Sequence, residues 1–328
     1  MSTPPQAGPH DPEGPQLPEL ESYEPAPAQD LLPPATEIAP EAAPQTESYF
    51  DTYASRLPPP PRFPNILDVV LMCILLSVGW LASGAAAATA LHFRLFGVHT
   101  EKQAANDIHY TMGAQTIWYL VALALWMLIF PKIWHTRFFA GVEWRAAAAF
   151  RLRWQLFWAA FACFVLAIVD GLLLPGPKEA PIDQVFRMPG GAWFLFAFGI
   201  TLAPLIEETI YRGFLLPAFS TLWDFTAERI QDRPAPWPDE NGKVKWSLGA
   251  MVFASIATSV PFALMHGYQT SYSFGTFILL FAVSLALCWV RLSTRSLAAS
   301  TVVHACYNFL LFALMIWGTG GFQNLDKM

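Results

Sequence analysis

Polar positions crowd into the first sixty residues and into short breaks; between the breaks the chain is apolar in runs of about twenty residues, roughly one bilayer crossing each. The runs predict seven helices. They extend from Ile66 to Leu91, from Met112 to Phe130 with Pro131 closing it, and from Leu156 to Leu174 before Pro175-Gly176-Pro177. A fourth opens at Gly190-Gly191 and continues to about Phe219. The last three run from Ser247 to His266, Phe274 to Val290 and Leu297 to Trp317. The segment Lys132–Trp154 reads as a basic loop carrying an amphipathic surface helix, and residues 220–247, with Pro234, Pro236, Pro238 and Gly242, as a polar loop. Asp68 and Asp170 fall near enough to helix ends to reach water.

Composition supports this pattern: 54% of residues are hydrophobic and only 13% charged, against about a quarter charged in soluble domains. The expected fold class is all-α, a polytopic membrane bundle of about seven transmembrane helices, with six to eight admissible. Residues 1–62 differ in kind. They are rich in Pro, Glu, Ala and Gln, and residues 1–60 hold ten acids against Arg56. Such a segment buries too little apolar surface to offset its ordering entropy, so it reads as a disordered acidic tail in front of an integral membrane domain over 63–328. With −6 overall and about −9 in the tail, the membrane part carries about +3.

Lys132, Arg137, Arg145, Arg151 and Arg153 against Glu143, and Arg291 with Arg295 between the last two spans, place both connections in the cytoplasm by the positive-inside rule. Alternation then puts the N-terminus inside, in a multi-pass protein of a plasma or inner membrane, with the first helix as an uncleaved signal anchor. The four cysteines (Cys73, Cys163, Cys288, Cys306) fall inside apolar runs without metal-type spacing and read as packing residues. No internal repeat argues for a carrier, and nothing suggests nucleic-acid binding.

Three charges break the apolar fourth run: Glu207, Glu208 and Arg212. Each ionised group at the centre of a membrane helix costs roughly 2.5–3.5 kcal/mol on insertion scales. Glu208 and Arg212, four apart with the acid first, share a helix face and can neutralise one another. Glu207 points about 100° away and needs a partner from another helix. His266 ends the fifth span, and His304 and Asn308 share a face of the seventh. A carboxylate and an imidazole can deprotonate water, and a second imidazole with an amide N–H can stabilise an oxyanion. Counted along straight helices, however, Glu207 and His266 come out on the order of 10–15 Å apart in depth at about 1.5 Å per residue.

Glu207-Glu208-x-x-x-Arg212, Phe262-x-x-x-His266 and His304-x-x-x-Asn308 resemble, in order, the three motifs of the CAAX protease and bacteriocin-processing family (CPBP, also called Abi). Ala203-Pro204, Gly213 and Arg295-Ser296-Leu297 agree in context, and Tyr211 stands where the family usually has Phe. The resemblance covers roughly residues 190–317. It implies an intramembrane endopeptidase that cleaves prenylated CAAX-type or other membrane-associated peptides. Glu207 would be the base that activates water, His266 its assistant, His304 and Asn308 the oxyanion hole, and Glu208 with Arg212 ancillary. No cofactor is implied; zinc on Glu207, His266 and His304 is the alternative. Expected partners are the bilayer and a lipidated or membrane-associated substrate. The competing readings are a non-catalytic scaffold or resistance protein on the same fold, or a proton-coupled carrier using Glu207.

Overall fold

The computed structural model describes residues 62–174, 180–232 and 245–324. The chain divides into two units between Leu57 and Pro58, and every described residue belongs to the second. The acidic tail, apart from Arg62, therefore lies outside the described residues, as does most of the Pro-rich stretch after Gln231.

Among the described residues the secondary structure is entirely helical. Long helices are α1 (Ile66–His92), α3 (Ile108–Trp134), α6 (Arg153–Leu173), α11 (Leu248–Met265), α12 (Phe274–Thr294) and α13 (Leu297–Thr319). Short ones are α2 (Glu101–Ala104), α4 (Phe138–Gly141), α5 (Ala146–Arg151) and α7 (Pro181–Arg187). The fourth predicted span is built from pieces: α8 (Gly191–Ile200), α9 (Leu202–Glu208), a π-helical stretch over Thr209–Leu215, and α10 (Leu216–Ile230). Six helices are long and apolar enough to cross a membrane, and the bent pair makes a seventh. The all-α membrane bundle expected from the hydropathy pattern is the observed fold.

The fourth span departs from the straight, shorter helix expected. It bends by 41° between Ile200 and Leu202, because Pro204 has no N–H for the Ile200 carbonyl and its ring crowds that carbonyl. The π turn has a related cause. Pro217 cannot serve the Gly213 carbonyl, and the Leu216 N–H reaches back five residues to Tyr211 instead. Nor does the helix stop at Phe219; it runs to Ile230, replacing the first part of the predicted polar loop. Its charges at that end have distant partners: Asp224 accepts from the Ser247 backbone N–H at 3.0 Å and from its hydroxyl, and Glu228 pairs with Arg62 at 2.8 Å.

Other expectations need smaller corrections. Pro131 lies inside α3, which continues to Trp134. Arg291 lies inside α12, which runs past Val290 to Thr294. Asp68 does not reach water: it is 6% exposed, its Oδ2 accepts from the Asn65 N–H in a capping box, and its Oδ1 accepts from Trp134 Nε1 at 3.0 Å. The basic connection forms the two short helices α4 and α5. Phe138 and Val142 are buried with Phe130, Trp134 and Phe214 in an aromatic core, so this segment packs against the bundle. Glu143 joins it to Arg291 at 2.7 Å, and the Glu143 carbonyl accepts from Leu297 N–H. The basic loop and the turn between α12 and α13 therefore meet at one end of the bundle, as alternating spans require. Of the four free thiols, Cys163 and Cys288 are buried, Cys306 is half-buried and Cys73 is exposed.

Helices α1 and α3 pack so closely at Gly79 that a Cβ there would lie 2.9 Å from the Trp118 carbonyl oxygen. Overpacking of this kind costs about 1–3 kcal/mol. Gly79→Val should lower the thermal unfolding temperature in detergent, whereas Gly84→Val, with open space around the site, should not. Equal unfolding temperatures for the two variants would contradict this packing.

Candidate active site

The two halves of the fourth span and the hairpin that follows decide where the charges lie. Helices α10 and α11 run antiparallel, tied by Asp224 and Ser247. Glu207 stands 17 positions before Asp224 (224 − 207) and His266 19 positions after Ser247 (266 − 247). Two helices rising about 1.5 Å per residue from a shared tie bring both residues to one level. The depth mismatch obtained from straight spans is thereby removed. Its source was the loop assigned to residues 220–230, which are helical.

The Glu207 Oε2 atom lies 3.8 Å from His266 Nε2 and 3.8 Å from His304 Nε2. Its side chain is 18% exposed, enough for solvent to reach it. Each imidazole is oriented from its other nitrogen. His266 Nδ1 lies 2.8 Å from the Phe262 carbonyl oxygen, an atom that only accepts, so Nδ1 carries the proton. His304 Nδ1 lies 3.0 Å from Glu208 Oε1 and donates to that carboxylate when it is ionised. In the neutral rings both Nε2 atoms then present lone pairs toward Glu207. Three acceptors face one another across gaps longer than a hydrogen bond, and the two O–H groups of a water can bridge Glu207 to one imidazole.

Behind this group sits a dry ion pair. Glu208 and Arg212 are fully buried. Arg212 Nη1 donates to Glu208 Oε1 at 2.9 Å, and Nη2 donates to the Ser284 carbonyl at 2.9 Å and hydroxyl at 2.6 Å on α12. The guanidinium also stacks over Phe262, 4.7 Å from its centroid, one turn before His266. Glu208 thus holds Arg212 and His304 through one oxygen, and Arg212 ties the π turn to α12. The expected i,i+4 pair is present. The link from Glu208 to His304 and the role of Ser284 were missed, and a serine inside an apolar helix gives no sequence signal of its partner.

Asn308, one turn beyond His304, donates its Nδ2 to the Gly199 carbonyl at 2.7 Å. That carbonyl is freed by the break at Thr201, so Asn308 closes the end of α8 and leaves its second Nδ2 hydrogen free of that bond. Glu207, His266 and His304 are brought together; Asn308 borders them through the bent span. No three or more His, Cys, Asp or Glu among the described residues are arranged as a metal-binding cluster.

Residues 189–310 match the family model described as type II CAAX prenyl endopeptidase Rce1-like. Over these residues the chain is similar to that family. The match spans all three motifs and nearly the whole stretch for which the sequence resembles that group. No curated protein and no solved structure gives a significant match. The matched segment begins just before α8 and ends on α13, so it contains Glu207, His266, His304 and Asn308; α1, α3 and α6 lie outside it. At family level it supports a CAAX-type intramembrane peptidase.

Proposed function

We propose that the protein is a glutamate-dependent intramembrane endopeptidase acting on a prenylated CAAX-type or otherwise membrane-associated peptide. The observation that carries this reading is the Glu207 carboxylate held between two imidazole Nε2 atoms at 3.8 Å. Glu207 accepts a proton from the bound water as its oxygen attacks the scissile carbonyl, and His266, with its Nδ1–H fixed on Phe262, holds that water through Nε2. The carbonyl π bond opens to an oxyanion. In its imidazolium form His304, braced by Glu208 at Nδ1, donates Nε2–H to it, and the free Nδ2 hydrogen of Asn308 supplies a second donor. The proton taken by Glu207 passes to the leaving amine as the C–N bond breaks, which regenerates the carboxylate. Each such acid–base contribution is typically worth about 10²–10⁴-fold in rate.

The test is cleavage of a membrane-peptide library by the purified full chain, beside His266→Ala and with a strong chelator. The reading expects the wild-type chain to cleave, His266→Ala to lose at least a hundredfold in kcat, and chelation to leave the rate unchanged. Unchanged cleavage by His266→Ala would refute the role of the imidazole. Loss of activity on chelation, restored by zinc, would replace the mechanism with a metal one. No cleavage of any peptide by wild-type protein would favour the scaffold reading.

A further inference from the structure

A cavity of about 750 Å³ lies apart from the acid–base group, between the far end of α1, the start of α3 and the start of α8. Its volume lies within the roughly 300–1,000 Å³ of small-molecule sites. The α1 wall is made of Ala86, Ala87 and Ala90, the α3 wall of Gly113 and Ile117, and Phe194 closes it from α8. Small residues on two adjacent helices leave a slot rather than a filled seam. A Cβ built on Gly113 meets no atom within 4 Å. The slot is roofed by the 3₁₀ turn Leu95–Gly97, in which Phe96 is 61% exposed and adopts a left-handed φ of 56°. Phe96 is held by a parallel stack on His109, with centroids 4.2 Å apart.

Two aromatic contacts extend from this slot along α8, toward the end that Asn308 holds. Phe194 stacks on Phe198, one turn further along α8, and Phe198 stacks on Tyr119 of α3. The residue after Phe198 is Gly199, whose carbonyl Asn308 holds. The slot and the oxyanion donors are thus joined through a single short helix, and five residues of α8 at about 1.5 Å each separate Phe194 from Gly199.

We infer that this cavity receives the hydrocarbon chain of the substrate's lipid anchor, with the attached peptide running along α8 to Glu207. The inference rests on the endopeptidase reading and assigns a substrate-selecting role to α1 and α3, which lie outside the Rce1-like segment. Apolar walls suit a chain with no hydrogen-bonding groups, and the exposed aromatic turn over the slot gives it a route from the surrounding lipid.

The experiment compares an S-farnesyl peptide with its S-methyl counterpart of identical sequence, using the full chain in phosphatidylcholine nanodiscs. In Gly113→Phe, whose ring would occupy the slot, KM for the farnesyl peptide should rise at least tenfold while kcat stays within twofold. KM for the S-methyl peptide should not change. An unchanged farnesyl KM, or an equal rise for both peptides, overturns the inference. Binding is read separately with a diazirine-bearing farnesyl peptide crosslinked to the Glu207→Gln chain. Labels on residues 86–90 or 113–117 support the cavity, and labels confined to other helices overturn it. Crosslinking there without cleavage by the wild-type chain would separate failure of the endopeptidase reading from failure of this one. A phospholipid that co-purifies in the slot and is not displaced by the farnesyl peptide also overturns it.

Discussion

Glu207→Gln is expected to reduce peptide hydrolysis about 10³-fold or more while leaving the unfolding temperature within a degree or two of wild type. The carboxamide keeps the shape of the side chain and removes its basicity. General-base contributions alone are worth about 10²–10⁴-fold. Stability should hardly move, because Glu207 is partly exposed and its nearest ionisable neighbours are two imidazoles at 3.8 Å, outside direct hydrogen-bond distance. Substrate affinity should also persist, so the loss belongs in kcat. Kinetics with a cleaved peptide and thermal unfolding of the same preparation check both halves. A loss of activity that tracks a loss of folded protein would count against the assignment.

The opposite profile is expected for Arg212→Leu. Here the fully buried guanidinium makes three hydrogen bonds, to Glu208 and twice to Ser284, and lies over Phe262. Its removal leaves Glu208 buried beside His304 without its cation, and breaking one member of a buried pair costs about 3–5 kcal/mol. The variant should unfold at a clearly lower temperature, and Arg212→Lys should not restore it, since a single ammonium cannot span two helices as the planar fork does. Removing the stranded charge as well, in Glu208→Gln with Arg212→Leu, should recover part of the stability. Arg212→Leu protein as stable as wild type would contradict the view that this pair holds the π turn to α12.

The contrast between the two acids was readable from sequence because it depends only on helical angle. Adjacent residues diverge by about 100°, so one of two neighbouring glutamates could meet Arg212 and the other could not. The seven apolar runs were equally legible, since hydrocarbon thickness demands length. What escaped was how the fourth run is shaped. Its breaks come from Pro204 and Pro217, each visible in the sequence, yet an apolar run that tolerates proline looks the same bent or straight. Residues 220–230 were misread because Asp224, Glu228 and Arg229 broke the hydropathy. Their meaning depends on Ser247 and Arg62, remote in sequence. That error alone separated Glu207 from His266, and extending the helix brings them to the same level. Ser284 and Gly199 were invisible for a simpler reason: a hydroxyl and a backbone carbonyl become partners only when the fold delivers Arg212 and Asn308 to them.

In the proposed mechanism Glu208 and Arg212 form a rigid base behind Glu207 and the two imidazoles. His304 belongs to both layers, with Nδ1 on the buried pair and Nε2 on the water-accessible side. A disturbance of the pair should therefore reach Glu207 through the orientation of one ring, whereas a change at Glu207 should not travel back into the core.

The most direct test of the central claim is a single-turnover cleavage in ¹⁸O-enriched water, with products read by mass spectrometry for the wild-type and Glu207→Gln chains. Attack by a water activated at Glu207 places one ¹⁸O atom in the new C-terminal carboxylate of the wild-type product and gives no product with Glu207→Gln. Equal product from the two chains, or a wild-type carboxylate without ¹⁸O, would contradict it.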